Sequence, residues 1–92
     1  MAGLSQEKAK NISPELDLRG LTVDEALQIT DKYLDEALLV GLPWVRLIHG
    51  KGTGALRTAI NDYVRKHPRV KKHRWGETNE GGMGVTVVEL ER

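Results

Sequence analysis

Apolar residues recur at three- and four-residue steps in two stretches of the chain and gather in short runs elsewhere. In the first stretch Val23, Ala26, Leu27, Thr30, Leu34, Ala37 and Leu38 follow these steps, the spacing of an amphipathic α-helix with one buried stripe. Thr22 and Glu25 frame its start as a capping box: the Thr22 hydroxyl can take the Glu25 amide while the Glu25 carboxylate reaches back. Gly41 is placed to end this helix, and Pro43 bars its continuation. In the second stretch Leu56, Ala59, Ile60, Tyr63 and Val64 predict another helix, which His67 and Pro68 stop. Residues 15–18 read as a short strand turned by Arg19 and Gly20, and residues 45–48 as a buried strand. Residues 70–75 carry many charges, which suits a sheet edge. Residues 76–84 form a loose turn before the last strand at residues 85–90.

The resulting order is β-α-β-α-β-β, an α/β domain of the α+β two-layer sandwich type. A four-stranded mixed sheet would carry both helices on one face. Strand–helix–strand crossovers give parallel pairing, so a mostly parallel sheet is expected, with the last two strands as an antiparallel hairpin. Trp44 and Tyr63 are read as core residues. Residues 1–14 are polar and aperiodic and look like a flexible arm or the stub of a linker, which leaves residues 15–92 as the domain.

Composition narrows the chemistry. Ninety-two residues suit one domain, and with Phe absent its core must rest on Leu, Val, Ile and Ala. There is no cysteine, which excludes disulfides, thiolate metal sites and cysteine nucleophiles. The longest apolar run, Ala37 to Val40, is far too short to span a bilayer, and the N-terminus has no apolar signal core. A cytoplasmic protein without a membrane partner is expected. The net charge of +1 hides a segregation: residues 1–45 sum to −4, residues 46–75 to +8 and residues 76–92 to −3. A basic segment between acidic ones points to a partner with localised negative charge, nucleic acid first, although a solvated face would carry the same pattern.

The residues that turn this into a site are His49-Gly50-Lys51-Gly52-Thr53-Gly54, between a strand and a helix. Alternate glycines let the backbone approach a ligand, and the helix behind them offers free amides and the positive end of its dipole to an anion. The spacing is neither that of a Walker A loop nor that of the dinucleotide fingerprint. In a parallel β-α-β unit the tips of the first two strands share one sheet edge. Asp17, Arg19 and Gly20 should therefore meet the second loop there.

The segments Leu16-Asp17-Leu18-Arg19-Gly20 and His49 to Arg57, with the ending Gly81-Gly82-Met83-Gly84 to Leu90, resemble the signatures of the small MutS-related (Smr) domain, in the form found at the C-terminus of bacterial MutS-two. The resemblance spans residues 15–90. It implies a fold like the C-terminal domain of translation initiation factor three, and a nicking endonuclease activity of low sequence specificity. It further implies partners among DNA or RNA, the ribosome included, and a longer parent chain carrying an ATPase and a dimerisation region. Its parents are linked to recombination suppression and ribosome rescue. Many relatives carry histidine where this chain has Arg19.

Asp17, Arg19 and His49 are the catalytic candidates. Asp17 suits a base or a single metal ligand, or else caps its own turn. Arg19 stays protonated and can only clamp or neutralise phosphate. His49 suits a neutral acid or base held below its usual pKa by the helix, or a histidine that holds the loop. Gly50, Lys51, Gly52, Thr53, Gly54 and Arg57, with Lys72 and Arg74 on the basic strand, are the candidate phosphate contacts. Trp75 suits either stacking on a splayed base or packing over the sheet edge, the commoner role. With one carboxylate in the motifs, no resident metal is predicted, and a Mg or Mn ion would be held weakly. A non-catalytic DNA- or rRNA-binding module and a site for a small phosphorylated ligand remain the rival readings.

Overall fold

Thr22 Oγ1 accepts from the Glu25 amide at 3.2 Å, and Glu25 Oε1 accepts from the Thr22 amide at 2.9 Å. This capping box opens α1 (Val23–Val40), and Gly41, at φ 79° in the left-handed region, closes it. The computed structural model describes residues 12–91. The other elements are β1 (Glu15–Asp17), β2 (Trp44–Ile48), α2 (Ala55–Lys66), β3 (Val70–Trp75) and β4 (Val85–Leu90). The segment expected as a loose turn holds two single 3-10 turns, Thr78–Glu80 and Gly82–Gly84. Glu80 orders the first by accepting from the Glu77 amide and from Arg74, each at 2.9 Å.

Both helices pack on a four-stranded mixed sheet of order β1-β2-β4-β3. β1 and β2 are parallel, with Leu16 opposite Leu47, whereas β4 runs antiparallel to both β2 and β3. The hairpin of the last two strands is therefore present, but the expectation of a mostly parallel sheet is corrected. β4 inserts between β2 and β3, leaving a single parallel pair. Burial explains the insertion. All of β4 except Glu89 is buried, so it takes the place with a neighbour on each side. β3, exposed at every residue but Val70, takes the edge that its charges predict. Because β2 and β3 still point the same way, the C-terminal ends of β1, β2 and β3 share one sheet edge with the start of β4.

The helix-facing core is aliphatic: Leu18, Val45, Leu47 and Val88 of the sheet side meet Ala26, Leu34, Ala37, Ile60 and Val64 of the helices. Full burial of each Leu, Ile or Val is worth about 1.5–3 kcal/mol, so burial of this patch carries the domain. The opposite sheet face is uncovered. Trp44, expected in the core, stands on that face opposite Glu89 and is 43% exposed. One residue of register decides this, since side chains alternate between the two faces of a strand. Tyr63 does pack against the core, and its hydroxyl donates to Asp31.

Residues 1–11 of the expected arm lie outside the described residues. The three that follow are docked: Ile12 packs on the core, Ser13 O accepts from the Tyr33 hydroxyl, and Pro14 O accepts from the Arg46 amide. Among the described residues no helix is long and apolar enough to cross a membrane.

Candidate nucleic-acid interface

The tip of β1 is a charged turn. Asp17 Oδ1 accepts from the Arg19 amide at 3.0 Å, the capping role open to it from sequence. The same carboxylate takes a two-point ion pair from Arg19, through Nε at 3.0 Å and Nη2 at 2.8 Å. Both side chains remain more than half exposed. The Arg19 hydrogen bonds hold the Asp17 carboxyl down at about 2, so it is ionised at any ordinary pH. Arg19 Nη1 has no partner among the described residues.

The tip of β2 is built the other way. His49 is 4% exposed, and both its ring nitrogens have partners. Nδ1 lies 2.9 Å from Gly50 O; a carbonyl can only accept, so Nδ1 carries the proton. Nε2 then accepts from the Thr86 hydroxyl at 2.8 Å, and Thr86 Oγ1 in turn accepts from Asn61 Nδ2 at 3.0 Å. The result is a closed chain from α2 through β4 to the loop. Burial, with the Arg57 charge adding to it, pushes His49 below its usual pKa against the Gly50 bond. Of the two roles open to His49, this geometry is that of the histidine that holds the loop. Proton transfer to an outside group would first have to break the Thr86 bond. The loop is pinned again by Gly84 O, which accepts from the amides of His49 and Gly50.

The two tips meet. Gly50 sits at φ 77°, and a Cβ there would stand 3.3 Å from Arg19 Cγ, so the guanidinium stem lies directly against the second loop. Between them opens a groove of about 560 Å³ lined by Arg19, Gly20, residues 49–54 and Arg57. Asp17 is not among the residues that line it. Gly54 caps α2 without a side-chain bond, and Thr53 Oγ1 takes only the Ala55 amide at 3.3 Å. The Leu56 and Arg57 amides are left unpartnered among the described residues. Lys51 and Arg57 form no ion pair there either. The groove is thus a concave cationic surface with free amides, chemistry that suits a phosphate.

Lys72 and Arg74 are not brought to this groove. They line the uncovered sheet face near Trp44, and Arg74 is paired with Glu80 at 2.9 Å. Three residues of this network had no role in the sequence reading: Thr86, Asn61 and Gly84. Gly84 and Thr86 lie in the closing segment that carries the resemblance, but nothing local ties either of them to His49. Thr86 lies 37 residues from His49 in the chain, beyond the reach of any local pattern. No three His, Asp or Glu side chains among the described residues gather as metal ligands.

Comparison with known proteins agrees with this architecture. The Smr domain model matches residues 16–91. A curated relative from Pelotomaculum thermopropionicum, named Endonuclease MutS2, is 62% identical over 90 residues, covering 98% of this chain and 12% of that protein. The Endonuclease MutS2 of Clostridium tetani is 57% identical over 83 residues, or 90% of this chain and 11% of that one. The chain therefore spans about an eighth of these relatives. The crystal structure of the Smr domain of Thermus thermophilus MutS2 superposes with a TM-score of 0.83 at 54% identity, covering 85% of this chain and 98% of that one. YdaL, a stand-alone small MutS-related protein of Escherichia coli, gives 0.82 at 25% identity, over 86% and 65%. With the family model spanning nearly all of the described residues, the chain belongs to the Smr domain family.

Proposed function

We propose that this chain holds a nucleic-acid phosphodiester in the groove between the tips of β1 and β2 and nicks the strand with little sequence preference, as one module of a longer protein. The observation that carries the reading is the contact of Arg19 with Gly50, which brings a guanidinium, Lys51, Arg57 and two free amides around one cavity. The name endonuclease borne by long relatives supports it. Phosphate oxygens bind Arg19 Nη1, Lys51 and the amides at the start of α2. Arg19 neutralises the crowded transition state. The attacking hydroxyl, from water or from an RNA 2′-oxygen, gives its proton to Asp17 at the edge of the groove as its oxygen bonds to phosphorus. The P–O bond to the leaving oxygen breaks, and that oxygen takes a proton from solvent water. A carboxylate held near 2 is a weak base, so turnover is slow and does not vary with Asp17 ionisation above about pH 4. His49 is a positioning residue that keeps the loop in shape.

A second reading is a clamp without chemistry, and the engagement of both Asp17 oxygens by Arg19 favours it. Nicking of supercoiled plasmid and of structured RNA, with and without magnesium, separates the two. If the module is a nuclease, Asp17→Ala loses turnover but keeps binding, and Lys51→Ala weakens binding. No cleavage above a mock purification leaves only the clamp.

A further inference from the structure

Trp75 ends β3 and pairs across the sheet with Thr86, whose hydroxyl holds His49. Its side chain therefore stands at the end of the sheet that carries the two loops, beside the groove although not among the residues that line it. The residue is 43% exposed, and β3 is the sheet edge, so no strand lies beyond it. Its neighbours come from the groove. The Arg57 guanidinium lies 5.9 Å over the indole, and the His49 ring meets it edge-on at 6.4 Å. Arg57 also lines the groove with Lys51 and Arg19, so one side chain joins the phosphate surface to the aromatic one.

Trp44 supplies the contrast. It is equally exposed, but it lies at the far end of β2 on the uncovered face, where Arg46 rests on its ring and is itself bonded to Glu15. Exposure alone therefore does not single out Trp75; its place beside an anion groove does.

We infer that Trp75 is a base-stacking subsite: while the groove holds a phosphate, the adjoining base lies on the open surface of the indole. The inference rests on the function proposed above and narrows its substrate to strands with an unpaired nucleotide at the site. Within a duplex both faces of a base are covered by its neighbours, and only an unstacked base can offer a face to a protein ring. Arg57 holds the indole from one side and contacts phosphate on the other, so ring and charge are set at a fixed spacing along a strand.

The test uses the 92-residue chain with Trp44→Phe, which leaves Trp75 as its one indole. An oligodeoxythymidylate, an oligouridylate and a DNA duplex are titrated against it, with affinity read from the anisotropy of an end label. Both single strands should quench Trp75 emission in step with binding, and the duplex should bind without quenching. Trp75→Leu should weaken single-strand binding roughly five- to a hundredfold. Trp75→Tyr should restore most of it, and neither change should alter duplex affinity. Undiminished single-strand affinity in Trp75→Leu, or equal quenching by the duplex, overturns the inference. Binding weakened in Lys51→Ala but intact in Trp75→Leu removes the stacking subsite and leaves the phosphate groove. If the unsubstituted chain binds none of the three probes, the groove itself fails and this subsite with it.

Discussion

The tip of β1 keeps its charged pair in water, whereas the tip of β2 buries its histidine. Asp17 and Arg19 form an ion pair with both side chains more than half exposed, a kind of pair that contributes little to stability. His49 and Thr86 are 4% and 0% exposed and joined by a hydrogen bond, a kind of contact whose loss leaves buried groups unsatisfied. One edge of one sheet thus carries a buried neutral brace beside an exposed ion pair, with the exposed Lys51 on the loop between them. The two tips divide the work: the buried His49–Thr86 bond fixes the shape of the loop, and the exposed side chains carry the charge that the groove presents. Substitutions at the two tips should therefore separate stability from binding.

The largest stability effect is expected at Thr86. Thr86→Val keeps the volume but strips His49 Nε2 and one Asn61 N–H of their partner, which should destabilise by about 2–3 kcal/mol in urea unfolding. An unchanged midpoint would mean the network does not hold the loop. Gly50→Ala comes next. A left-handed φ of 77° should cost about 1–2 kcal/mol, and the new Cβ would press on Arg19, so nucleic-acid affinity should fall as well. Loss of stability without loss of affinity would uncouple the tips.

pH should then separate the tips in turn. Burial holds folded His49 below the 6.5 of the free side chain, so the unfolded chain takes up a proton that the folded one refuses. Stability should fall as pH drops below about 6.5, with a slope of at most about 1.4 kcal/mol per pH unit, until folded His49 protonates too. His49→Gln should flatten that limb of a plot of urea midpoint against pH. Asp17 is ordinarily at 3.8 and is held at about 2, so its contribution is present above pH 3.8 and is lost only between there and 2. Asp17→Asn should lower stability evenly above pH 3.8 and flatten the pH dependence only in that lower window.

The smallest effect is expected on the uncovered face. Lys51→Ala should lower the slope of log affinity against log salt by about 0.9 on duplex DNA, whereas Lys72→Ala should leave the slope unchanged. An equal loss in both would extend the binding surface around the sheet edge.

The helices, their caps and the two loops were legible because each rests on contacts a few residues apart. Thr22 reaches Glu25, and Gly41 turns back on Ala37 and Leu38. The convergence of Arg19 with Gly50 was legible too, since β1 and β2 are parallel and their tips must share an edge. The place of Trp44 was not, because period-two patterning does not say which face of a sheet the helices will cover.

Local spacing and residue chemistry alone were enough to define the order of elements, the glycine-rich cationic loop and the acid–arginine turn beside it. Long-range packing chose the rest. β4 slid between β2 and β3 because it is the most buried strand, and that insertion set Thr86 against His49, turning a candidate acid or base into a buried brace. A hydrogen bond spanning 37 residues is a property of the folded sheet, since only strand order brings its two ends together.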